Sequence, residues 1–272
     1  MPWSPERPGP GPAAEDPSDA GTARRLETIG RILDESRDLL DTAMERNTSV
    51  ERSLRRAEYQ TRDLQWDAAK ILLDHDPARP AMRTVQTGGD QLVTDLRHTQ
   101  AQAEDLRDTL RQARRHLDHA TPLVTELTGA TTDPEHAVAA AMLATRLERL
   151  NTLVELATPL AERTSTRIEQ AHQALDAGLM QTGDRSAETF HHFWNLDRGI
   201  FDTARQVAHA HASATDGAEL TEHAVNASHL TAAHTRDMQR LPRYSPTRPG
   251  KYPYPATPAR PGPTPGPAGP AI

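Results

Sequence analysis

LETIGRILDESRDLLDTAMERNTSVERSLRRAEYQTRDLQWDAAKI, residues 26–71, decides the architecture. Alternating steps of three and four pick out Leu26, Ile29, Leu33, Ser36, Leu40, Ala43, Asn47, Val50, Leu54, Ala57, Thr61, Leu64, Ala68 and Ile71, almost all apolar or small. The repeat never slips. A period of about 3.5 residues sustained over this length belongs to a helix packed lengthwise on other helices, each stripe residue sitting among four residues of a neighbour. As continuous helix the stretch would be roughly 70 Å long at about 1.5 Å per residue. Its polar members Ser36, Asn47 and Thr61 weaken such a core but fix register, as a buried asparagine does in coiled coils.

The same period returns in Leu92, Leu96, Thr99, Ala103, Leu106, Leu110, Ala113, Leu117, Ala120, Val124 and Leu127, and again in Ala140, Leu143, Leu147, Leu150, Val154, Ala157, Ala161, Thr164, Ile168, Ala171 and Leu175. Pro77 and Pro80 should end the first helix, because proline cannot continue the hydrogen-bond ladder. Residues 77–89 then read as a turn closed by Gly88 and Gly89, with Asp90 capping the second helix. Gly129 reads as that helix's left-handed stop, and Pro122 should bend its last turns. Thr132, Asp133, Pro134 and Glu135 form a T-x-x-E capping box that starts a third helix. Pro159 should kink that helix, and Gly178 and Gly183 bracket the next turn. The fourth helical region opens near Asp184. Asp216, Gly217, Ala218 and Glu219 resemble another capping box, so a break is expected before a last piece through Leu220, Ala224, Ala227, Thr231 and Met238.

Short turns between helices of similar length demand antiparallel neighbours. The fold class is therefore all-α: an elongated antiparallel bundle or coiled coil of about four long helices, near 20–75, 90–128, 134–178 and 184–240, in up-down-up-down order. Flanking residues 22–241 are a Pro/Gly-rich tail, 1–21, and a basic Pro-rich tail, 242–272. Neither can bury enough apolar surface to offset its ordering entropy, so both are expected to be disordered.

Composition agrees with a thin core. Aromatics make up 4% and hydrophobics 36% of the 272 residues, and mean hydropathy is −0.71, enough for narrow helix seams but not for a thick globular interior. The absence of cysteine excludes disulfides, thiolate zinc sites and cysteine nucleophiles. No stretch approaches the 18 or so apolar residues of a membrane span, and the first residues lack an apolar leader, so a cytoplasmic location is expected. Lys70 and Lys251 are the only lysines beside many Ala, Thr and Pro, the bias of a high-GC genome. Net charge is −7, yet Arg240, Arg243, Arg248, Lys251 and Arg260 close the chain with no acid among them, which leaves the middle acidic. An acidic rod repels phosphate backbones, so nucleic-acid binding by the bundle is not expected.

The functional signals are few. Phe190, Phe193, Trp194 and Phe201 crowd the start of the fourth helical region and widen its apolar face; an exposed aromatic patch marks an interface, so a homodimer through this region is expected. In the tail, Arg243, Pro246 and Pro249 have the R-x-x-P-x-x-P spacing of a polyproline ligand, with Tyr244, Tyr252 and Tyr254 as anchors. Two E-x-x-H pairs, Glu169 with His172 and Glu188 with His191, have the spacing used by di-metal bundles. However, Ile168 and Ala171 occupy the seam, which turns Glu169 outward, and no glutamate stands at core phase opposite. The histidines of the last region read as solvated or half-buried surface. Tyr59 and Asp63 match the Y-x-x-x-D/E pattern of helical substrates of specialised actinobacterial secretion, but the W-x-G turn of those substrates is missing: Trp194 is followed by Asn195 and Leu196. No glycine-rich phosphate loop or G-x-S-x-G is present. The reading is a non-enzymatic structural or adaptor protein, without cofactor, that holds protein partners. A secreted helical effector and a di-metal bundle enzyme are the alternatives.

Overall fold

A computed structural model describes residues 17–73, 79–131, 134–180 and 189–241. The periodic stretches form α1 (Pro17–Leu73), α2 (Arg79–Ala130), α3 (Pro134–Met180) and α4 (Thr189–Arg240). Each helix packs along two neighbours in a closed ring, α1 on α2 and α4, α3 on α2 and α4, while the diagonal pairs do not approach. Cross-helix partners give the direction. Arg25 reaches Glu126 at one end of the α1–α2 seam and Gln60 reaches Asp95 near the other, so the two run antiparallel. Arg97–Asp176 and Arg111–Glu162 fix the same relation for α2 and α3, Arg167–Gln206 and His234–Ala139 for α3 and α4, and Gln239–Leu26 with His211–Glu58 for α4 and α1. The fold is an up-down-up-down four-helix bundle. At about 1.5 Å per residue, the 57 residues of α1 make a rod about 85 Å long.

Every stripe residue named above for the first three helices is buried. The buried apolar groups fall into two clusters. One holds Leu26–Ala43 of α1 with Leu106–Leu127 of α2, and the other holds Val50–Ile71 with Val85–Ala103. Between them α1, α3 and α4 contribute a polar waist: Asn47, Thr164, Gly217 and Thr221, all buried. Thr164 and Thr221 donate to the carbonyls of Leu160 and Gly217 in their own helices. Among the described residues Asn47 Oδ1 has no hydrogen-bond partner, and the gap beside it is too small for a water.

Three glycines read as punctuation, Gly88, Gly89 and Gly178, are packing residues. α2 begins at Arg79, so Gly88 and Gly89 lie well inside it and Asp90 caps nothing. A Cβ on Gly88 would stand 2.9 Å from Leu64 Cδ2, and one on Gly89 the same distance from Leu179 Cδ2. Removing the Cβ lets those leucines pack directly on the α2 backbone. Gly129 is still helical within α2, which runs to Ala130, and is not a left-handed stop. Gly178 is buried inside α3 against the α4 backbone at Leu196 and Gly199. The expected break at Asp216 does not occur, because Gly217 and Thr221 are successive seam positions of one continuous α4. Pro122 and Pro159 both lie within unbroken helices. α3 starts at Pro134, where the capping box places it, although Thr132 and Asp133 lie outside the described residues.

Candidate interaction surface

The aromatic cluster at the start of α4 divides by heptad phase. Phe193 takes a seam position with Leu196 and Ile200 and is 3% exposed, so it belongs to the core and is removed from the candidate surface. Trp194 and Phe201, seven residues apart, each follow a seam residue by one position and stand 56% and 61% exposed. The side chain of Phe190 lies outside the described residues, as do Arg243, Pro246 and Pro249.

Sequence reasoning missed a second aromatic pair at the same end of the rod. Tyr59 and Trp66, also seven apart, are 60% and 67% exposed on the outward face of α1. The signal was present: each follows a seam residue, Ala57 and Leu64, by two positions, which points it away from the core. His211 Nδ1 of α4 lies 3.0 Å from Glu58 Oε1 of α1, which brings this part of α1 level with the stretch of α4 that carries Phe201.

Charge is sorted by direction on this half of α1. Arg52, Arg55, Arg56, Arg62 and Lys70 are all exposed. Of the intervening acids Asp63 is exposed, while Glu51, Glu58 and Asp67 are drawn toward the seams. Glu58 pairs with His211, whose Nε2 is also 4.0 Å from Glu51, and Asp67 holds Lys70 at 3.2 Å. Lys70 Nζ also sits 5.6 Å from the Trp66 ring centroid, in cation–π range. Arg52, Arg56 and Arg62 have no ion-pair partner among the described residues. On α4, burial raises the Asp197 carboxyl above its ordinary value of 3.8.

Elsewhere a set of polar groups bridges neighbouring helices. Three arginines of α2 meet acids of α3: Arg97 reaches Asp176 at 3.2 Å, Arg111 reaches Glu162 at 2.6 Å and Arg114 reaches Glu155 at 3.4 Å. Arg46 bonds the Asp105 carbonyl and Thr109 Oγ1. His116 faces Glu35 at 3.2 Å and His229 faces Asp41 at 3.5 Å. Glu169 is exposed and accepts from Gln173 Nε2, while Nδ1 of His172 is buried without a hydrogen-bond partner among the described residues. Glu188 and the His191 side chain lie outside the described residues, among which no cluster of three potential metal-binding side chains occurs. No helix among the described residues is long and apolar enough to cross a membrane.

No family model, no curated protein and no solved structure matches this chain.

Proposed function

We propose that this chain is a non-enzymatic structural or adaptor protein, a rod that sets a distance and presents one end face to a protein partner. The observation that carries the reading is the outward placement of Trp194 and Phe201, each more than half exposed, on a helix whose seam is filled without them. Large aromatics are the residues whose desolvation contributes most at protein interfaces, and an exposed cluster of them on a monomer marks a contact site. The basic Pro-rich arm, with Arg243, Pro246 and Pro249, is the second proposed contact, since a polyproline segment needs little further ordering to bind.

A cross-linked pull-down from the native cell tests both contacts. It compares the full chain with a Trp194→Ser, Phe201→Ser double variant and with a chain lacking residues 242–272. Partners are expected to disappear from one variant or the other while both melt as the full chain does. A complete set of partners retained by both would overturn the assignment.

A further inference from the structure

The outward face of α1 reverses its charge halfway along the rod. From Glu27 to Glu45 the outward positions carry Glu27, Asp34, Glu35, Asp38, Asp41 and Glu45 against one base, Arg31. From Arg52 to Lys70 they carry Arg52, Arg55, Arg56, Arg62 and Lys70 against one acid, Asp63. The switch falls at Thr48 and Ser49, uncharged residues level with the polar waist. Because α1 keeps its heptad without a slip, the outward positions form a stripe that maps onto itself when the helix is turned end for end about that point. The mapping brings opposite charges to the same level: Arg52 to Glu45, Arg55 and Arg56 to Asp41, Arg62 to Asp34 and Glu35, Lys70 to Glu27. It also sets Arg31 over Trp66 and Asp38 beside Tyr59. One like pair remains, Asp63 at the level of Asp34.

We propose that two copies of this chain associate back to back through the outward faces of α1, antiparallel about a two-fold axis at Thr48 and Ser49. The occupant of the face is a second copy because charge complementarity selects it. An acidic partner would match only the basic half, and a basic partner only the acidic half, whereas an antiparallel copy satisfies both, each pair occurring twice by symmetry. Several of the acids already touch intramolecular partners, Asp34 with Arg37 at 2.9 Å and Asp41 with His229 at 3.5 Å, yet their side chains remain 45% and 41% exposed and accept a further cation. Arg52, Arg56 and Arg62, free of ion pairs among the described residues, supply that cation. Exposed pairs are individually weak and screened by salt, so the contact is reversible and salt-sensitive, with Trp66 and Tyr59 as its apolar anchors. This inference is independent of the adaptor reading, which rests on α4 and the tail.

Two charge-reversed chains test it. The first carries Arg52→Glu, Arg62→Glu and Lys70→Glu, which leaves both halves of its α1 face net acidic although Arg31, Arg55 and Arg56 remain. The second carries Glu27→Arg, Glu35→Arg and Glu45→Arg, which leaves both halves of its face net basic although Asp34, Asp38, Asp41 and Asp63 remain. Sedimentation at low salt should give a dimer for the parent, about tenfold weaker at high salt, and monomers for each reversed chain alone. Mixed in equal amounts, the two reversed chains should form a heterodimer. Since the chain has no cysteine, Thr48→Cys should cross-link to itself through a short bis-maleimide while Arg31→Cys should not; a parallel pairing would cross-link both. A parent that stays monomeric at low salt overturns the proposal, and so does a mixture that fails to pair. A monomeric parent that instead binds anionic vesicles or a polynucleotide through Arg52, Arg56 and Arg62 overturns it as well, and assigns the basic half to a polyanion.

Discussion

α1 and α4 obey the same heptad with different chemistry. The seam of α1 is built on Leu26, Ile29, Leu33, Leu40, Leu54 and Leu64, interrupted by three small polar residues. That of α4 starts with Phe193, Leu196 and Ile200, then becomes Thr203, Val207, Ala210, Ala214, Gly217, Thr221, Ala224, Ser228, Thr231 and Thr235 before Met238, all equally buried. What makes the second seam tolerable is that its hydroxyls are satisfied within their own helix, Thr203 also lying 3.1 Å from the Ala171 carbonyl of α3. Thr203, Thr221, Thr231 and Thr235 each donate to the carbonyl four residues earlier, at 2.7 to 3.0 Å, and Ser228 donates to Val225. A hydroxyl satisfied by its own helix is buried at little cost and leaves a methyl or methylene to pack. Periodic burial, not hydrophobicity, is what the two helices share.

If leucines hold the rod together and threonines only fill it, truncation should separate the two seams. Leu40→Ala is expected to cost about 2 to 5 kcal/mol, the range for deleting a fully buried leucine. Thr231→Ala should cost about 1 kcal/mol or less, because the hydroxyl and the carbonyl it leaves lose only a local bond. Thermal melts of the two variants beside the parent check this, and equal losses would erase the distinction.

A smaller effect probes why α4 is built of small residues at all. A Cβ on Gly199 would stand 2.9 Å from the Ala174 carbonyl oxygen and 3.3 Å from Gly178 Cα, both backbone atoms of α3. Gly199→Ala should therefore force α3 and α4 apart and cost about 1 to 3 kcal/mol in spite of alanine's better helix propensity. Gly129→Ala, with nothing within 4 Å of the added carbon, should be neutral or stabilising. If Gly199→Ala also stabilises, the close approach is not what selects the glycine.

The smallest effect lies at Asp197, on the side of α4 that faces α1. Burial raises its carboxyl in the folded chain, so the native state holds the proton more tightly than the unfolded one. The ionised group opposes folding at neutral pH, and the opposition fades as pH falls through the raised value toward the ordinary one. Asp197→Asn should thus melt slightly higher than the parent at pH 7, with the gap closing in acid. A gap that widens on acidification would reverse the assigned sign.

The same contrast explains what the sequence revealed and what it concealed. Leucine and alanine at unbroken spacing made α1, α2 and α3 legible down to single seam residues. In α4 the buried threonines could not be told from surface threonines by type, so Leu220 and Ala227 were assigned to a seam that Thr221 and Ser228 occupy. Glycine was the other blind spot. Its textual role is to end helices, but Gly88, Gly178 and Gly199 are selected by a neighbour that packs against them, and that neighbour lies far away in the chain. Of the candidate surface, Trp194 and Phe201 were found by aromatic crowding. Tyr59 and Trp66 stand apart in sequence and become a feature only when projected on the helix. The charge reversal along α1 was hidden for the same reason: counted along the chain, acids and bases interleave, and only their direction separates them.

Antiparallel pairing of α1 and α4 also determines how the rod answers to force. Gln239 of α4 donates to the Leu26 carbonyl of α1, so the chain enters at Pro17 and leaves at Leu241 beside itself, at one end of the bundle. Tension applied between those two points pulls across the seam and opens it as a fork, one heptad after another. The same tension applied from one end face to the other would have to slide whole helices past each other, shearing every layer together. The molecule is thus mechanically anisotropic: a strut when loaded along its length, a zipper when drawn from its chain ends.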